Sequence, residues 1–73
     1  MRRIVVLGDP GRVRGFRLAG VTVIDAAEPR GIEQAWESLP EDTAVLVLTA
    51  DAAAVLADRL EERPRLTWVV MPR

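Results

Sequence analysis

A small α/β domain, with a four-stranded parallel sheet and helices on both faces, is the fold class this 73-residue sequence predicts. Three observations predict it. Apolar, β-branched runs recur at Arg3–Leu7, Val21–Ile24, Thr43–Leu48 and Leu66–Met71. Helix-like stretches separate them, with apolar residues at three- and four-residue spacing. Gly8, Gly20, Pro40 and Pro64 punctuate the joins.

Arg3–Leu7 closes at Gly8 and reads as a buried strand, followed by a turn at Asp9, Pro10 and Gly11. Gly11–Ala19 reads as a short helix with Val13, Phe16 and either Arg17 or Gly20 on one face. Pro10 suits its first turn, where a missing N–H costs nothing, and Gly20 is placed to end it in a left-handed cap. Val21–Ile24 is the second strand and Asp25 closes it. Glu28 and Pro29 open a second helix whose core stripe is Ile32, Ala35, Trp36 and Leu39. Glu33, Gln34, Glu37 and Ser38 take its wet positions, and Pro40 ends it. Thr43–Leu48 is apolar on both faces, as in the middle of a covered parallel sheet. Thr49 or Asp51 caps a third helix, Ala52–Arg63, with Ala53, Leu56 and Leu60 inward and Asp58, Glu61 and Glu62 outward. Leu66–Met71 is the fourth strand. Right-handed crossovers then favour the strand order 2-1-3-4, a shortened flavodoxin- or receiver-like arrangement spanning residues 1–73 as one domain.

Composition limits the chemistry. The apolar fraction of 49% supplies one core, and the charged fraction of 29% a water-compatible exterior. The net charge of −1 gives no global field for nucleic acid or an anionic membrane. No apolar run approaches the roughly 20 residues of a membrane span, and the stretch after Arg2 and Arg3 is too short for a signal peptide. A cytoplasmic location is the expectation. Histidine, cysteine, lysine, tyrosine and asparagine are all absent, so imidazole or thiolate metal sites, Schiff-base lysines and histidine-based triads have no residues to use. All ten basic residues are arginines, which do not serve as bases at neutral pH. Carboxylates are the remaining acid–base groups.

In such a sheet the ligand crevice lies beyond the carboxyl ends of the strands, here Gly8, Asp9, Asp25, Thr49 and Asp51. A receiver would need an acid ending the third strand and a later lysine; Thr49 stands in the first place and the lysine does not exist. Asp9 and Asp25 read as caps of turns and helix starts. Gly8, Gly11 and Gly15 give G-x-x-G-x-x-x-G, not the dinucleotide spacing, and Pro10, Arg12 and Asp9 would disturb a pyrophosphate. No cofactor is expected. Arg12, Arg14 and Arg17 form a solvated face or an arginine-rich docking face for an acidic or amphipathic protein. Trp36 reads as core packing. Trp68, on the edge strand, reads either as a half-exposed anchor or as packing on the third helix.

Gly8-Asp9 followed by Gly15-Phe16-Arg17-Leu18-Ala19-Gly20-Val21 resembles the opening of the F-subunit family of V/A-type ATPases. Glu28-Pro29 with Glu33 and Ala35, Val45–Thr49 and Val69–Pro72 are similar to later segments of that family at lower specificity. The resemblance implies a non-catalytic central-stalk rotor component. Its partners would be the coiled-coil D subunit and the A/B catalytic ring, with ATP turnover coupled to ion movement and the complex attached peripherally to a membrane. It also implies Arg12, Phe16, Arg17 and Leu18 as partner contacts, although Phe16 and Leu18 also suit packing on the sheet and Arg17 also suits an internal ion pair. Family members usually continue past the final proline into a helical tail, whereas this sequence ends at Arg73. A degenerate receiver-like module that homodimerises or binds a signalling partner is the alternative.

Overall fold

The computed structural model describes residues 2–72, the side chains of Leu18 and Ala19 excepted. Strands β1 (Arg3–Gly8), β2 (Thr22–Asp25), β3 (Thr43–Leu48) and β4 (Thr67–Val70) form one parallel sheet in the order β2-β1-β3-β4. This is the flavodoxin-like order expected from right-handed crossovers. Helices α1 (Pro10–Val13), α2 (Pro29–Glu37) and α3 (Ala50–Leu56) connect the strands.

The main core lies between the sheet and the α2–α3 pair. Val5 and Leu7 of β1 and Leu46 and Leu48 of β3 point to that side, into one cluster with Ile32, Trp36 and Leu56. Alternation along each strand sends Ile4, Val6, Val45, Val47 and Val69 to the other side. There Val6 and Val13 are buried outside the main cluster, where α1 covers β1 and β2.

Two helices differ from the sequence expectation. Gly11–Ala19 is not one α-helix: α1 ends at Val13, and Arg14–Ala19 continues as a tighter 3-10 stretch. Two glycines, Gly11 and Gly15, weaken the α-helical preference of so short a segment. Gly20 ends it at φ 77, the left-handed cap expected there. Similarly, α3 starts at Ala50 and stops at Leu56; after a turn, Leu60–Glu62 forms a 3-10 stretch. The inward residues of this region are Ala52, Leu56 and Leu60, while Ala53 is only half-buried. With Thr49 as cap, the helix begins earlier than the expected Ala52, and Ala52 rather than Ala53 is the fully enclosed residue of its first turn. The second helix and third strand fall where the spacing placed them, except that α2 ends at Glu37, before Pro40.

Candidate functional site

The crevice at the carboxyl ends of the strands is filled by its own residues. Gly8 is buried, and a Cβ built there would lie 2.1 Å from Thr49 Cγ2. Glycine is therefore required because the Thr49 side chain occupies the neighbouring space. The Thr49 hydroxyl accepts from the Ala52 N–H at 3.1 Å and caps α3. The backbone N–H groups at this rim are also engaged: Ala26 donates to the Gly8 carbonyl at 2.8 Å, and Thr49 donates to the Leu7 carbonyl at 3.1 Å.

The crevice acids have structural partners. Asp9 accepts from the Arg12 N–H at 3.2 Å and caps α1. Asp25 is not a cap; its carboxylate pairs with the Arg17 guanidinium. Asp51 lies exposed in the first turn of α3, where its charge suits the positive helix end. The groups that the topology brings to the switch point are thus committed to caps, an ion pair and close packing. No group of three or more metal-ligating side chains occurs among the described residues.

The basic segment sits elsewhere, on the side of the sheet opposite α2 and α3. Arg12, Arg14 and Arg17 are exposed and Phe16 is half-buried. Leu18 lies outside the described side chains. Of the two alternatives for Arg17, the structure forms the internal one, its pair with Asp25. An exposed pair of this kind contributes roughly 0.2–1 kcal/mol and leaves the guanidinium accessible. Trp68 is 45% exposed, so it does not pack fully on α3.

A network not foreseen from the sequence fastens α2 to the second 3-10 stretch. Trp36 is 1% exposed, and its indole Nε1 donates to Glu62 Oε1 at 3.2 Å. Arg59 pairs with Glu62 and with Glu37 of α2, both at 3.3 Å. Arg63 donates to the Trp36 carbonyl at 3.1 Å and places its guanidinium 4.9 Å from the Trp36 ring centroid. Hydrogen bonding from Arg59, and secondarily from Trp36, holds the Glu62 carboxyl below its ordinary pKa. The sequence signal was present in the tryptophan at an inward position and the E-E-R run, but pairing residues 26 positions apart requires the fold.

A short doubly wound parallel sheet, with Thr49 packed against Gly8 at the switch point and a basic segment displayed on one face, defines a small flavodoxin-like α/β domain. The sequence profile of the ATP synthase (F/14-kDa) subunit family matches residues 4–72, and the chain belongs to that family. No curated protein matches the chain. No helix among the described residues is long and apolar enough to cross a membrane.

Proposed function

We propose that the protein is a non-catalytic central-stalk rotor component of a V/A-type ATPase. It docks on the coiled-coil D subunit, turns within the A/B ring and couples ATP turnover to ion translocation. It acts at the cytoplasmic side, attached to the membrane through the complex. The family match over residues 4–72 carries this reading. The closed crevice supports it, because a rotor component needs a rigid body and a docking surface and its strand-end polar groups here serve the fold. Arg12, Phe16, Arg17 and Leu18 are proposed contributors to the partner contact.

The test is co-expression with the cognate coiled-coil rotor protein, followed by size-exclusion chromatography at micromolar concentration. Co-elution as a stable complex is expected. Two separate species under those conditions would reject the reading.

A further inference from the structure

The side of the sheet opposite α2 and α3 carries an uncovered apolar strip. Ile4 pairs in register with Val45, which neighbours Thr67; Val6 pairs with Val47, which neighbours Val69. These two rungs place Ile4, Val45, Val47 and Val69 on one continuous surface without an ionisable side chain among them. Ile4 is 46% exposed and Val69 50%. Val45 and Val47 are half-buried. Among the described residues, the α1 segment covers the β1–β2 half of this side and no helix covers the β3–β4 half.

The rim of the strip is basic. Residues 10–19, beside it, contain Arg12, Arg14 and Arg17, of which Arg12 pairs with Asp9 and Arg17 with Asp25. At the amino-terminal end of β3 and β4, Arg2 and Arg65 line a hollow with Thr43, Val45 and Thr67. Glu41 and Asp42 also border that hollow, but Asp42 is engaged by Arg3 at 3.1 Å. Among the described residues, Arg2, Arg14 and Arg65 make no ion pair. On the opposite side α2 and α3, with the turn that follows, carry Glu33, Glu37, Asp51, Asp58, Glu61 and Glu62 against Arg30, Arg59 and Arg63. A net charge of only −1 therefore conceals two faces of opposite sign.

We propose that this strip seats one helix of the coiled-coil partner. Its apolar stripe would lie along Ile4, Val45, Val47 and Val69, and flanking carboxylates would meet Arg14, Arg2 and Arg65. The proposal rests on the rotor reading and adds the face, the anchors and the charge of the partner helix. Size agrees: an α-helix about 10 Å across matches two strands spaced about 4.8 Å apart, together with the edge beyond them. Charge argues against a second copy of this chain, because stacking two such strips would bring arginine-rich rims together.

The experiment measures the affinity of the full chain for the cognate coiled-coil protein, using three single variants. Val69→Asp and Trp68→Asp introduce the same charge at adjacent, exposed positions on opposite faces of β4. Val69→Asp should weaken binding at least about tenfold, and Trp68→Asp should change it by less than about threefold, a difference typical of anchor and non-contact positions. Arg14→Glu should weaken binding about two- to tenfold and reduce its salt dependence, as expected for a rim charge. Circular dichroism checks that each variant is folded. Methyl NMR of the unaltered chain gives an independent readout, with the partner expected to perturb Ile4, Val45, Val47 and Val69. Unchanged binding by Val69→Asp, a loss with Trp68→Asp alone, or methyl shifts confined to other residues would overturn the seat while leaving the rotor reading intact. A parent chain that ignores the coiled coil altogether would overturn both. Sedimentation of the parent as a dimer, converted to a monomer by Val69→Asp, would assign the strip to a second copy and overturn the proposal.

Discussion

On the side of the sheet beneath α2 and α3, Val5, Leu7, Leu46 and Leu48 are fully enclosed. One residue away along the same ladder, on the opposite side, Ile4 stands open and Val45 and Val47 are only half-covered. The central strands β1 and β3 are apolar toward both sides, so their sequence alone does not create the difference. Helix distribution does. The connections β2–β3 and β3–β4 both move across the sheet in one direction, and right-handed crossovers put α2 and α3 on one side. The β1–β2 connection moves the other way and puts α1 on the other. One side consequently holds the enclosed core, open only at the edge strand, where Trp68 and Val70 stand exposed beside α3. The other leaves Ile4 and Val69 exposed, beside a segment that contains Arg12, Arg14 and Arg17.

The largest expected difference is between the enclosed centre of the sheet and its open edge, and it falls at the tryptophans. Trp36→Ala removes an indole enclosed by the core together with its bond to Glu62 and should cost about 3–5 kcal/mol, enough to unfold much of a small domain. Trp68→Ala, on the open edge strand, should cost less than about 1 kcal/mol. Urea unfolding of the two variants measures the contrast, and equal losses would break the distinction between sealed and open regions. A smaller effect is expected at the junction of strands and helices. Gly8→Ala forces a methyl into the space of Thr49 and should destabilise by about 1–3 kcal/mol. Adding Thr49→Ala should recover part of that loss, net of the missing cap, and a double-mutant cycle reads the coupling.

The smallest expected effect is pH-dependent and belongs to the core side. Glu62 has a folded pKa below its unfolded value, so its stabilising contribution is fully present above the unfolded value and disappears as pH falls through the folded one. Glu62→Gln keeps an acceptor for the Trp36 indole but abolishes the charge facing Arg59. Melting temperatures measured from neutral pH into the acid range should therefore converge, with the parent losing its advantage over Glu62→Gln. A constant gap would show that the ion pair does not contribute through ionisation.

Much of the architecture was legible because its signals are local. Thr43–Leu48 announces a covered strand through its apolar character on both faces, and Ile32, Ala35, Trp36 and Leu39 announce the inner side of α2 through spacing. Gly20 announces a left-handed cap because its neighbours leave little else for a glycine at that point to do. The third helix was less legible. Ala52, Leu56 and Leu60 form a four-residue series that would have identified its inner side, yet Ala53 fits the same pattern through three-residue spacing. Beyond the stop at Leu56, Glu62 and Arg63 make contacts with Trp36, far away in the chain. Local propensity contains no term for them.

For the candidate site, the residue inventory alone removed imidazole, thiol and amine chemistry, since a side chain that is absent from the sequence cannot be supplied by folding. The tertiary structure decided what the remaining residues do. It set Thr49 against Gly8, joined Arg17 to Asp25 and left Ile4 and Val69 uncovered. Those outcomes depend on which strands become neighbours and which side each helix takes. Sequence fixes apolar and charged periods within an element, but only the assembled sheet determines which of those periods finds a partner.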